Sequence, residues 1–183
     1  MITMIAAVGQ NRELGKQGKV VWSFREDLDF YLEQTRGKKL LVGKKTFDGL
    51  DTFPTGTTIY VLNEEAFDAA AKRKSDWGKE HTFVVTDLEK VINEYEFSDE
   101  ELIVIGGAGV YAQVLPHASK LLITEIQATD SSADAFFPNI NEALYNRIPL
   151  GQGTVQEGDH QGLAYEFAEY DRIAQDRNDS KSA

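Results

Sequence analysis

The stretch Ile103-Val104-Ile105-Gly106-Gly107-Ala108-Gly109-Val110-Tyr111 decides the fold class. A β-branched apolar run ends on two glycines and passes into a helix-forming segment, as a strand buried on both faces does when a crossover helix follows it. Glycines at such a junction let a ligand approach the backbone, and the first N–H groups of the next helix are free to meet an anion. The run lacks the full Gly-x-Gly-x-x-Gly spacing with an acidic residue at the proper distance, so it suggests a nucleotide without specifying one.

Upstream, Val42-Gly43-Lys44-Lys45-Thr46-Phe47 repeats the layout. Thr46 is read as the cap of a helix whose free N–H groups, with the two lysines, attract phosphate, although a glycine followed by two lysines is also an ordinary surface. Further apolar runs at Thr3–Val8, Lys39–Val42, Thr58–Leu62, Thr82–Val85, Leu102–Ile105 and Lys120–Ile126 read as strands. They alternate with helical stretches at Phe24–Gln34, Lys45–Leu50, Glu65–Lys72, Leu88–Tyr95 and Gly109–Leu115. This alternation predicts one α/β domain, a central, mostly parallel, twisted sheet flanked by helices. Near the C-terminus, Thr154–Glu157 and Ala164–Tyr170 alternate around Gly158–Gly162 and read as an added antiparallel hairpin. The domain is placed at residues 1–171, with 172–183 a polar tail expected to be disordered. The charged segment Lys72–Glu80 reads as a solvated loop or frayed helix end.

Composition excludes several classes. The 183 residues include no cysteine, so a disulfide framework, a thiolate metal site and a cysteine nucleophile are all ruled out. A formal charge of −11 and a pI near 4.7 argue against nucleic acid as partner, since phosphate binding needs a basic face. No run approaches the roughly 18 apolar residues of a membrane helix, and the N-terminus lacks a basic segment leading into an apolar one. A soluble, unprocessed, cytoplasmic chain is expected, and a monomer, because no long apolar surface helix is evident. His81, His117 and His160 are scattered without partners at metal-ligand spacing, so no metal is expected.

In Trp22-Ser23-Phe24-Arg25-Glu26-Asp27-Leu28-Asp29-Phe30-Tyr31-Leu32, a helix capped by Ser23 places Phe24, Leu28, Tyr31 and Leu32 on one stripe with Asp27 among them. An aspartate in a first helical turn ordinarily serves the helix dipole. Bordering an apolar pocket, it also pairs with a planar ligand that carries adjacent N–H donors, and burial raises its pKa.

Together these segments resemble the dihydrofolate reductase family. The likeness runs from Met1 to about Tyr170, through Ile5-Ala6-Ala7, Asn11 to Gly15, Trp22, Asp27-Leu28, Gly43-Lys44-Lys45-Thr46, Ile105-Gly106-Gly107, Tyr111, Thr124, and Asp134 with Phe137-Pro138. The resemblance implies NADPH-dependent reduction of 7,8-dihydrofolate, with hydride passing from nicotinamide C4 to pterin C6 and a proton to N5. It implies that Asp27 binds the 2-amino group and ring nitrogen of the pterin with Thr124 as neighbour, that Trp22 holds an ordered water, and that Tyr111 lies near the nicotinamide. The loop from Gly9 to Phe24 would close over the site. Ile5, Ala6, Ala7, Leu28, Tyr31, Leu50, Phe53 and Ile105 would line the substrate pocket. NADPH would be held by Ala7, Asn11, Leu14, Gly15, Gly43, Lys44, Lys45, Thr46, Leu62, Asn63, Gly106, Gly107, Ala108, Gly109, Val110 and Tyr111.

Three positions depart from the family pattern. Val21 stands where a proline usually precedes the tryptophan, and Thr57 where an arginine clamps the substrate's α-carboxylate, so that end is expected to bind more weakly unless Arg36 or Lys38 reaches over. Glu64 lies near the expected place of the cofactor's 2′-phosphate. Two other readings stay open on sequence alone, a same-fold reductase of a ribosylated pyrimidine and a nucleotide-binding module without turnover.

Overall fold

The structure, a computed structural model, describes residues 1–174. Among them the chain runs through β1 (Ile2–Val8), β2 (Glu13–Lys16), β3 (Lys19–Val20), α1 (Arg25–Thr35), β4 (Lys39–Gly43), α2 (Lys44–Asp48) and β5 (Thr58–Leu62). It continues through α3 (Asp76–Glu80), β6 (Thr82–Val85), α4 (Leu88–Tyr95), β7 (Leu102–Val104) and α5 (Ala108–Val114). Last come β8 (Lys120–Ile126), β9 (Ala135–Phe136), β10 (Tyr145–Thr154) and β11 (Ala164–Arg172).

The main sheet has the order β10-β11-β8-β1-β7-β4-β5-β6. The six strands from β8 to β6 are mutually parallel, and β11 and β10 are added antiparallel. Parallel strands need both faces covered, and their residues divide accordingly. Met4, Leu41, Val104 and Leu121 pack with Val91, Tyr95, Val110 and Val114 from α4 and α5 on one face. Ile5, Leu40, Val42 and Ile103 pack with Phe30, Tyr31 and Phe47 from α1 and α2 on the other. α2 and α5 therefore leave adjacent parts of the sheet on opposite faces, which opens a crevice at the carboxyl ends of β1, β4 and β7. Ligands of such sheets bind at this kind of switch point.

Several sequence expectations are corrected. Ser23 does not cap α1; Phe24 holds the N-cap position in extended conformation without a side-chain bond. Gly43, not Thr46, is the N-cap of α2. The expected helix over 65–72 reduces to a 3-10 turn at Ala70–Lys72, because Phe67 and Ala69 are drawn separately into the core beside α2. Within the charged segment, Ser75 accepts a hydrogen bond from Gly78 N and starts the short helix α3. The hairpin's first strand is β10, earlier and longer than expected; exposed Ile148 and Leu150 and a bulge between Pro149 and Gly151 hid its alternation. β11 runs through Arg172, one residue past the expected boundary, and the rest of the tail expected to be disordered, from residue 175 onward, lies outside the described residues.

The sequence also gave no sign of a second, three-stranded sheet, β3-β2-β9, which shapes the loop from Gly9 to Phe24. β2 and β3 turn through Gln17 and Gly18, both at positive φ (50° and 78°), a tight hairpin turn that glycine at the second position favours. The loop is pinned from the other side, where Arg12 O accepts Phe137 N (2.8 Å) and Asp134 accepts Gln17 N (3.0 Å).

Candidate active site

Asp27 sits in the first turn of α1, above the ends of β1 and β8. Thr124 lies opposite Ala7 in the β1–β8 register and is buried; its hydroxyl donates to Asp27 Oδ1 at 2.6 Å. Burial pushes the Asp27 carboxyl up to about 6, and the Thr124 bond opposes the rise without cancelling it. The residue as a whole is only half-buried, so an enclosed carboxyl stands at the edge of an accessible cleft. Its neighbour Leu28 keeps 47% of its surface exposed, a large apolar side chain that α1 does not bury for itself. The stripe expected on α1 is thus only partly in the core, with Phe30 and Tyr31 packed on Ile5, Leu40 and Phe47.

Tyr111, at the start of α5, reaches under β1 and donates to Ile5 O at 2.6 Å. Complete burial raises its pKa, so the phenol remains a neutral donor. Ile5, Leu50, Phe53 and Ile105 join Tyr31 in one apolar cluster, as expected of a pocket lining, and Ala6 and Ala7 lie half-buried beside them on β1.

The two glycine junctions meet. Gly43 N donates to Gly106 O at 2.9 Å. Gly106 and Gly107 are joined by a cis peptide bond, and Gly106 has φ +129°. A Cβ on Gly107 would stand 2.7 Å from Thr46 Oγ1, and one on Gly43 would stand 3.3 Å from Val110 Cγ2. Gly109 has open space around it. Bare backbone from both junctions therefore faces one crevice, with Ala108 half-buried and Lys45 exposed at its rim. Lys44 is engaged elsewhere, paired with Asp48 at 2.6 Å and lying over the Phe67 ring. Leu62 and Asn63 end β5 nearby in sequence, and Asn63 Nδ2 turns back to Glu65 O.

Trp22 differs from expectation. Its indole N–H, expected to hold a water, donates to Glu13 O at 3.0 Å and ties the loop to itself. Beneath it Glu13 is almost wholly buried, with Oε1 accepting Asn11 N and Oε2 unpartnered. Asn11 itself is exposed, while Leu14 packs on the core and Gly15 pairs with Val20 and Ala135. At Thr57 the structure adds a third cation to the two that the sequence offered. Lys38 pairs with Glu101 and Arg36 is exposed; the cation beside Thr57 is Arg73. Its guanidinium is buried, bonds Thr57 O and Thr82 Oγ1, lies 4.9 Å over the Phe53 ring and packs on Gly78, where no side chain would fit. No sequence signal marks Arg73, because its environment comes from three separate segments.

An α/β domain with a proton-holding carboxyl on one side of its switch-point crevice and a glycine cradle on the other is built as a nucleotide-dependent enzyme. Comparison with known proteins narrows the class. A family model for dihydrofolate reductase matches residues 1–172. The dihydrofolate reductase of Neisseria gonorrhoeae is 31% identical over 170 residues, 92% of this chain and 96% of that protein. That of Bacillus subtilis (strain 168) is 29% identical over 185 residues, covering 100% and 98%. A solved structure of dihydrofolate reductase from Enterococcus faecalis, complexed with NADP(H) and RAB-propyl, superposes with a TM-score of 0.73 at 23% identity over 95% of this chain and 97% of that one. The chain belongs to the dihydrofolate reductase family, an oxidoreductase family. The pyrimidine reductase and the module without turnover are not favoured. Among the described residues no helix is long and apolar enough to cross a membrane, and no cluster of three or more His, Asp or Glu is placed to hold a metal.

Proposed function

We propose that the chain reduces 7,8-dihydrofolate to 5,6,7,8-tetrahydrofolate with NADPH, and that Asp27 holds and protonates the substrate. The observation that carries the assignment is the enclosed Asp27 carboxyl, bonded to Thr124 and raised to about 6 at the edge of the cleft. A buried carboxyl with no cationic partner is costly, and a pterin supplies the adjacent N–H donors that repay it. A pKa near 6 also keeps a proton available within the working range for transfer towards N5.

The residues present fit the cofactor. Bare backbone at Gly43, Gly106 and Gly107 leaves room for a pyrophosphate that a Cβ at Gly107 would remove, and Lys45 and Thr46 add charge and a hydroxyl. NADPH supplies the hydride. The protein's part is placement: Tyr111 fixes β1 from below through Ile5 O, Leu28, Tyr31, Leu50, Phe53 and Ile105 bound the ring, and the loop carrying Trp22 limits water. Orienting donor and acceptor carbons in this way is worth several kcal/mol, on the order of intramolecular reactions. Arg73, beside Thr57, is the cation we assign to the substrate's carboxylate end.

We further read the chain as a monomeric, cytoplasmic enzyme, with size-exclusion chromatography as the check on the first point. The direct test of function is the loss of reduced-nicotinamide absorbance with NADPH and dihydrofolate, with NADH in parallel. Prompt turnover with NADPH is expected. A folded protein that binds NADPH without turnover would overturn the assignment.

A further inference from the structure

Two phenols with enclosed hydroxyls lie near Asp27, and they differ. The Tyr111 hydroxyl is enclosed and bonded to Ile5 O. The Tyr31 hydroxyl is enclosed and bonded to nothing. Burial holds the Tyr31 phenol at about 12, so it remains a neutral O–H at working pH. Tyr31 lies four residues after Asp27 on α1, hence on the same helical face about 6 Å further along the axis. Its ring packs in the cluster that contains Ile5, Leu50, Phe53 and Ile105, and Tyr31 and Asp27 both lie near enough to Tyr111 to help raise its pKa, after burial. An enclosed hydroxyl without a partner is a standing cost that phenylalanine, equal in shape, would avoid. A ligand acceptor would remove that cost once a small shift of the Tyr31 side chain lets the hydroxyl meet it.

We infer that the Tyr31 hydroxyl is a second polar anchor of the site, donating a hydrogen bond to an acceptor on the bound substrate about one helical turn from the edge gripped by Asp27. The inference rests on the reading of the cleft as the dihydrofolate site. It makes Tyr31 a specificity-determining residue that favours ligands with a carbonyl or ring-nitrogen acceptor at that distance over ligands with hydrocarbon there.

Tyr31→Phe tests it. Dihydrofolate affinity, followed by fluorescence titration, is expected to fall roughly tenfold, in step with kcat/KM, while NADPH affinity holds. The free variant is expected to melt higher by about 2–4 °C, because an unsatisfied group has been removed. A purely structural tyrosine would move melting the other way. Unchanged or tighter dihydrofolate binding, or a free variant that melts lower than the parent, would each overturn the inference. If the parent itself fails to turn over dihydrofolate, the functional reading fails; if the parent is active and the variant matches it, only the role of Tyr31 does.

Discussion

The α1 wall of the cleft and the C-terminal hairpin each gather polar side chains against a sheet, and they treat them in opposite ways. On the hairpin, Arg147 bonds Glu125 and Glu166, and Tyr170 bonds Glu125. Every charge in that group has its opposite close by, and the guanidinium's pKa is raised, first by Glu125. On the α1 wall, Asp27 has a hydroxyl but no cation, and Tyr31 Oη is enclosed with no partner. Polar groups that only hold a fold together are satisfied within it. Groups left short of partners beside a ligand site, at a cost to stability, fit a role in binding.

The strongest attempt to break this contrast is Asp27→Asn. Reduction of dihydrofolate should fall by about 10²- to 10⁴-fold with NADPH binding nearly intact, as measured by steady-state rates and cofactor titration; equal loss of both would sink the assigned role. The same variant should be more stable. The folded pKa of Asp27, about 6, lies above its ordinary 3.8, so the folded state takes up a proton that the unfolded chain has released. The stability this contributes is fully present below about pH 4 and is lost as pH rises through 6, a difference of about 2–3 kcal/mol. Denaturant melts of Asp27→Asn against the parent should show a gain at pH 7 that vanishes towards pH 4.

Gly107→Ala sharpens the other side of the crevice. Its Cβ meets Thr46 Oγ1 at 2.7 Å, so NADPH affinity should drop by about tenfold or more while dihydrofolate binding is spared. Arg73→Gln is expected to cost about 1–3 kcal/mol of stability through its bonds to Thr57 and Thr82. It should also raise the KM for dihydrofolate several-fold but not for a tail-less dihydropterin; equal KM changes for both would remove Arg73 from the carboxylate end. Smallest of all, Arg147→Met on the satisfied hairpin should alter stability by under about 1 kcal/mol and leave turnover alone. A large effect there would erase the distinction between the two regions.

The parallel strands were legible because each is a short apolar run ending at a glycine or polar turn, and Asp27 because a helix places it on one stripe with Tyr31. What escaped reading depends on long-range partners. Arg73 looks like one more surface charge until Phe53, Thr57 and Gly78 close around it, and Glu13 is buried in a polar loop that is held in shape by pairing with β9, more than a hundred residues away. Helix starts misled for a local reason. Ser23 and Thr46 have the chemistry of caps, but the chain enters α1 and α2 one and three residues away from where those hydroxyls would serve. The unpartnered hydroxyl of Tyr31 is invisible to sequence altogether, since only the packed structure reveals which groups have nothing to bond.

Gly9 lies where Glu13, Trp22 and the Ala128 carbonyl meet. A Cβ on Gly9 would stand 1.8 Å from Glu13 Oε2 and 2.6 Å from the Trp22 ring, so the two positions share one small volume beneath the indole. The restriction falls on position 9, where any side chain would enter that volume. Trimming Glu13 alone would not open position 9, because the indole and the Ala128 carbonyl, 2.9 Å from the same Cβ, would still close it; glycine at 9 is what lets a carboxylate, a ring and a main-chain oxygen converge on one point.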